Sequence, residues 1–320
     1  MNLEIKDLAG ISAPVQKLIE LVSAGIGSVF RPQGMRKEAD AKAYEIRAIA
    51  AAEADASVIK ASGQVTAELE RVKILAGDNK DIVDRAKIRL LSREIEGQKN
   101  IESIAEHALT NLPSSVSDQP VTDDWKRKFF LEAENICDTD LQFLWGKVLA
   151  GEVSSPGSYS LRTLEILKHL SKQEAELFRV ACNLAFSDGW IMKTDQGSSN
   201  DLDAYGLNYG SILALRDAGL IYEGDLLSRQ YKDVDKLPSV VFMNNGLRIE
   251  LSGKLPDILS FSAFPFTRAG MELQNLIEHN PCMPYLQSIA SSLRQRGLTV
   301  KKETIIKTGS ITKHTFDEDL

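Results

Sequence analysis

The chain has 320 residues, room for about two domains, and its 43% hydrophobic and 26% charged residues exclude a disordered, collagen-like or purely coiled-coil protein. A formal charge of -7 and a pI near 5.3 exclude a surface that grips a phosphate backbone on all sides, although a local basic patch survives such an average. Three cysteines without paired spacing make no disulfide framework and fit a reducing cytosol.

The first element is an apolar stretch from Leu8 to Phe30. It does not read as a membrane span, because Lys17 and Glu20 interrupt it near the middle, each costing about 2.5–3.5 kcal/mol on insertion scales, and Pro14 falls early in it. Glu4 and Asp7 oppose a secretory signal. Val15, Leu18, Ile19, Val22, Ile26 and Val29 recur every three or four residues, which predicts an amphipathic helix. Two uses follow: packing on the rest of the chain or a second copy, or lying in a membrane interface beside Arg31, Arg36 and Lys37. Gly25 and Gly27 each cost about 1 kcal/mol of helicity, so the helix needs a partner.

Between Pro32 and Pro113 there is no proline and Tyr44 is the single aromatic residue, amid dense Ala, Glu, Lys, Arg, Ile and Val. This composition predicts long helices. Gly77-Asp78-Asn79 reads as a stop followed by a new cap, giving helices over Met35 to Ala76 and Asp78 to Leu109. In the first, Ile46, Ile49, Val58, Val65, Leu69, Val72 and Ala76 form a thin stripe suited to close packing against another helix. Arg85, Lys87, Arg89 and Arg93 form a basic run, but Asp81, Glu94 and Glu96 accompany it, and a solvated, internally paired face is the expected reading.

Residues 113–124 are rich in Pro, Ser and Asp and read as a linker. Beyond them Trp125, Phe129, Phe130, Phe143, Trp145, Phe178, Phe186 and Trp190 supply an aromatic core. Thr139 with Gln142 and Ser171 with Glu174 match the capping-box pattern and predict helices starting at Asp140, closed by Gly151, and at Lys172, with a helix from Ser160 to Leu170 between them. Short connections imply an antiparallel bundle.

The run Leu141-Gln-Phe-Leu-Trp-Gly-Lys-Val-Leu-Ala-Gly-Glu152, followed by Pro156-Gly-Ser-Tyr-Ser-Leu-Arg-Thr-Leu-Glu-Ile-Leu167, resembles the signature of an uncharacterised bacterial family, domain-of-unknown-function family 2806. The Pro14 to Pro32 segment and Phe266-Thr-Arg-Ala-Gly-Met-Glu-Leu273 are similar to it as well. The resemblance carries no catalytic residues with it. The Leu-Trp, Gly-Glu, Pro-Gly pattern is also similar to abortive-infection proteins, which implies bacteriophage defence by association alone.

The last third mixes helix and strand. Tyr209 to Ala218 reads as a helix closed by Gly219, and Val240 to Met243 with Leu247 to Leu251 flank Asn245-Gly246 as a hairpin. A further helix follows Phe266 with Thr267 as its cap. The order resembles a winged-helix domain, with a plain α+β domain as the alternative. Arg216, Arg229, Lys232 and Arg248 are the candidate nucleic-acid contacts, diluted by Asp217, Glu223, Asp225, Asp233, Asp235 and Glu250.

No catalytic, cofactor or metal motif stands out. His107, His169, His279 and His314 give no ligand pair on one turn, the glycines form no phosphate cradle, and Cys137, Cys182 and Cys282 read as small apolar residues. The expected architecture is mostly α: an extended amphipathic helical region over 1–112, the linker at 113–124, a helical bundle over 125–200, and a small α+β, winged-helix-like domain with a polar C-terminal tail over 201–320. The expected function is a non-enzymatic, cytoplasmic scaffold or effector in phage defence that binds no cofactor or metal. Its partner is a second copy, with another protein or the inner membrane surface reached by the Val15–Val29 helix as further readings. The alternative is a DNA-binding regulator.

Overall fold

The structure, a computed structural model, describes residues 12–27, 30, 32, 80–194, 202–224, 227–237, 239–244, 247–277, 280–308 and 311–317. The chain divides into two compact units, residues 1–158 and 159–320. The helices expected at Met35 to Ala76 and the stop at Gly77 lie outside the described residues, as does Val29.

The first unit is helical over its described residues: α1 Ala13–Ile26, α2 Lys80–Thr110, α3 Asp123–Ala133 and α4 Thr139–Ser154. Pro14 sits in the first turn of α1, where its missing N–H costs nothing, and Gly27 ends the helix at φ 68°. α1 packs on α2, α3 and α4. Its Gly25 lies under the Phe130 ring, where a Cβ would come within 2.1 Å of ring carbons, so the residue that weakens the helix also permits its docking. The core joins Leu18 and Val22 of α1 to Ile104, Ala105 and Ala108 of α2, to Phe129, and to Trp145, Val148 and Leu149 of α4. Trp125 stacks on Phe129 at 4.8 Å, and Phe129 meets Trp145 at 5.2 Å.

Three expectations about this unit need correction. The stretch 113–124 joins α2 to α3 inside the unit rather than separating domains, and the division falls between residues 158 and 159. The strap is fastened: Lys17 Nζ donates to the carbonyls of Ser117 (2.6 Å) and Gln119 (2.8 Å), and the Ser117 amide donates to the Ser154 carbonyl (2.8 Å). The charge that interrupts the apolar stripe of α1 is used here. In α4 the cap is Asp138, whose carboxylate accepts from the amides of Asp140 (2.9 Å) and Leu141 (3.0 Å). Gln142 instead turns inward, accepting from Ser103 Oγ (2.7 Å) and donating to the Ile136 carbonyl (2.8 Å). Gly151 does not end the helix, which runs on to Ser154 and buries Glu152 and Val153.

The second unit contains α5 Leu161–His169, α6 Lys172–Leu184, α7 Tyr209–Asp217, α8 Arg268–Gln274 and α9 Met283–Gln295. Its strands are β1 Trp190–Met192, β2 Ser228–Lys232, β3 Val240–Asn244, β4 Leu247–Gly253, β5 Ile258–Pro265, β6 Leu298–Thr308 and β7 Ile311–Asp317. They form two antiparallel sheets, ordered β1-β5-β2 and β3-β4-β6-β7. The capping box at Ser171 and Glu174 is present, and Thr267 caps α8 by accepting from the Gly270 amide at 3.1 Å. The β3–β4 hairpin closes with Asn244 opposite Leu247, but it is no free two-stranded wing, because β4 pairs along its length with β6. The expected polar C-terminal tail therefore holds two strands, with Ile249 and Leu251 of β4 and Val300 of β6 buried.

An aromatic cluster joins the sheets. Trp190 stacks on Phe186 (4.7 Å) and Phe261 (6.0 Å) and meets Phe242 edge-on (5.7 Å), while Tyr231 meets Phe242 at 5.3 Å. Burial pushes the Tyr231 phenol above its ordinary range.

A second tie in this unit is ionic. Glu272 of α8 reaches the start of α5, where Oε2 accepts from the Ser160 amide (2.7 Å) and Thr163 Oγ1 (2.5 Å), while Oε1 accepts from Arg268 Nε (2.7 Å). Burial raises the carboxyl's pKa, but the hydrogen bonds from Thr163, Ser160 and Arg268 outweigh it, so Glu272 titrates below the usual glutamate range. A depressed folded-state pKa means that this stabilisation is complete above the ordinary value of 4.5 and is lost as pH falls through the lower folded value. Glu272→Gln is expected to cost ~1–2 kcal/mol at neutral pH and to flatten the acid-side loss of stability. Urea midpoints measured down to about pH 3 read both effects, and parallel curves for the two chains would remove the tie.

Candidate functional site

The residues that stand out are on α2, because the helix is divided along its length. From Gly97 onward it belongs to the core through Ile101, Ile104, Ala105 and Ala108. Before Gly97, from residue 81 to 96, every residue is exposed except the half-buried Val83. Its local chemistry suits a solvated helix: Asp81 lies in the first turn, where the helix dipole favours an anion, and Arg85 pairs with it at 3.1 Å. Lys87 pairs with Asp84 at 3.4 Å, and Arg93 with Glu134 at 3.6 Å, so the basic run is largely neutralised along the helix.

Three large apolar side chains do not fit that solvated role. Ile88, Leu91 and Ile95 are 66%, 62% and 56% exposed, and their spacing places them on one face. The face is distinct from the one used by the core. Carried toward the C-terminus at the same spacing, it meets Gln98 and Glu102, which bond each other at 3.0 Å. Leu90, 58% exposed, instead continues the core-facing line upward from Gly97 and Ile101. An apolar row flanked by charges, with a polar end, is the form of a helix-pairing surface.

The clefts are chemically quieter. In the first unit a cleft of about 730 Å³ is lined by Gly25, Arg93, Glu94, Asp123, Lys126 and Arg127 among others. Two of its charges pair with each other: Lys126 sits 2.6 Å from Asp123, and that hydrogen bond holds the aspartate below its usual range. In the second unit a smaller cleft of about 370 Å³ touches Ser187, Tyr222, Met271 and Glu272. In the second cleft Ser187 Oγ donates to the Met243 carbonyl at 3.2 Å, while Glu272 accepts from Ser160, Thr163 and Arg268. Cys182 is buried and burial pushes its thiol strongly upward, Cys282 is half-buried, and Cys137 is exposed, unlike the buried role expected of it. Among the described residues no group of three or more His, Cys, Asp or Glu could hold a metal ion, and no helix is long and apolar enough to cross a membrane.

The sequence-predicted contact residues are dispersed. Leu18, Ile19 and Val22 are buried inside the first unit, and Val15 and Ile26 are half-buried, so this face packs on the chain itself. In the second unit Arg216 donates to the Gly224 carbonyl at 2.7 Å and lies over the Phe264 ring, and Arg229 pairs with Asp188 at 3.1 Å. The backbone register places Arg248 opposite Glu303 and Glu250 opposite Lys301. Lys232 is exposed. Arg216 and Arg229 are thus both engaged by local partners. The α2 row was missed by the sequence reading, although the spacing of Ile88, Leu91 and Ile95 between charged residues was there to find.

Fold and site define a mostly α protein, with a helical unit carrying a long half-exposed helix and a small α+β unit. The chain belongs to the family described as "Protein of unknown function (DUF2806)", which matches residues 84–290. That span includes the Leu141–Glu152, Pro156–Leu167 and Phe266–Leu273 runs, whereas the Pro14–Pro32 segment lies outside it. No curated protein and no solved structure matches the chain.

Proposed function

We propose that the protein is a non-enzymatic scaffold that self-associates through the exposed half of α2. The observation that carries this reading is the row Ile88, Leu91 and Ile95, more than half exposed on a helix whose other end is fixed in the core. Burying about 100 Å² on each of six side chains across a pair yields roughly 15 kcal/mol at ~25 cal/mol/Å². Association costs of about 4–15 kcal/mol oppose it, and a cost somewhat below the middle of that range leaves an affinity of about micromolar.

The test is the mass of the full chain by light scattering at tens of micromolar, where this affinity populates the oligomer. Mass should exceed the 35.3 kDa monomer and fall to it in Ile88→Ser/Leu91→Ser/Ile95→Ser with the circular dichroism preserved. α1 is a poorer interaction surface, because Leu18 and Val22 are fully buried, and a membrane contact would require this helix to leave the core. A role in bacteriophage defence is the wider proposal, supported by the pattern similarity alone. Its readout is plating efficiency on cells expressing the chain, which should fall and should recover with the triple variant. DNA binding through a winged-helix-like second unit draws little support from Arg216 and Arg229, both held by local partners.

A further inference from the structure

Two α2 helices could meet parallel or antiparallel, and the charges beside the apolar row distinguish the two. We infer that two copies pair antiparallel, with Ile88 of one opposite the partner's Leu91, and Lys87 beside the partner's Glu94. The inference rests on the scaffold reading and names its partner and register.

Ile88, Leu91 and Ile95 occupy seam positions of a seven-residue repeat. Lys87 and Glu94 each immediately precede an isoleucine of that seam, so they flank it on the same side, one repeat apart. Both are exposed. When two such helices run antiparallel, this flank faces itself. With Ile88 set against the partner's Leu91, Lys87 meets the partner's Glu94, and two-fold symmetry forms the pair twice. Lys87 already holds Asp84 at 3.4 Å, so its ammonium would be shared between the two carboxylates.

The parallel arrangement is worse at a defined place, because it stacks Asp84 on the partner's Asp84 within the seam, a like-charge contact. In the antiparallel register Asp84 falls opposite the partner's Ile95, which ends the apolar seam at both extremities and keeps it short. The core-facing line of α2, through Gly97 and Ile101, remains with its own unit.

The experiment is sedimentation velocity on the full chain over a concentration series, for the wild type, Lys87→Glu, Glu94→Lys and the double exchange, with thermal unfolding in parallel. Each single reversal turns two attractive pairs into repulsive ones and should raise the dissociation constant about tenfold. The double exchange should restore it to within about threefold, since the pairs re-form with reversed sign. A double variant as weak as the singles overturns the register. A wild type that associates with both singles unchanged overturns the antiparallel Lys87–Glu94 pairing while leaving the scaffold reading standing. Singles that leave a monomer's mass alone but lower its unfolding midpoint place another part of the same chain on the row, and overturn the inference. A wild type that stays monomeric removes the scaffold reading itself.

Discussion

Trp190→Ala is expected to destabilise the protein by about 3–5 kcal/mol, the largest single effect in the second unit. Trp190 is 2% exposed and is the ring against which Phe186, Phe242 and Phe261 all pack, at centroid separations from 4.7 to 6.0 Å. These neighbours come from the loop after α6 and from strands of both sheets, so they cannot collapse together into the space the indole leaves. The cost therefore includes a cavity as well as lost transfer energy. Trp190→Phe keeps the stacking partner of Phe186 and should cost about 1–2 kcal/mol. Urea unfolding followed by far-ultraviolet circular dichroism measures both variants. A loss under about 1 kcal/mol for the alanine variant would mean that the cluster does not join the sheets.

Gly146→Ala should cost about 2–3 kcal/mol by forcing α2 away from α4. A Cβ at this position would lie 2.5 Å from His107 Cβ and 3.0 Å from the Ala108 nitrogen, and the latter is backbone that cannot rotate aside. Gly97→Ala is the matched control in the same unit. Its Cβ would meet Glu134 Cβ at 3.1 Å and is otherwise clear of close backbone contact, so the gain in helix propensity of about 1 kcal/mol should largely offset the crowding. The two glycines look equivalent in the sequence, and only the distance to the neighbouring helix separates them. Equal unfolding midpoints for the two variants would contradict the close α2–α4 packing.

Local chemistry was legible in the sequence. The Ser171–Glu174 box, the Thr267 cap, the α7 helix and the β3–β4 hairpin each depend on residues within a few positions of one another. Features set by long-range contacts were not. The 113–124 strap has a linker's composition, but Lys17 holds its carbonyls from about a hundred residues away. Gln142 completes a capping pattern with Thr139, yet Ser103 and the Ile136 carbonyl are better partners, and Asp138 takes the cap. β6 reads as polar tail because Lys301, Lys302 and Glu303 interrupt its apolar residues, and its pairing with β4 appears only in the fold. The candidate site shows the same division. Periodicity finds apolar rows on both α1 and α2, but cannot say which row the core takes; it takes Leu18 and Val22, and leaves Ile88 and Leu91 in solvent.

The central claim is that the exposed half of α2 is an association surface, and its most direct test is the mass of the full chain before and after that surface is made polar. Light scattering at tens of micromolar, a range that populates a micromolar complex, should give a mass above 35.3 kDa for the wild type and the monomer mass for Ile88→Ser/Leu91→Ser/Ile95→Ser, with both proteins equally helical. A wild-type mass at the monomer value, or an oligomer that the triple substitution leaves intact, would contradict it.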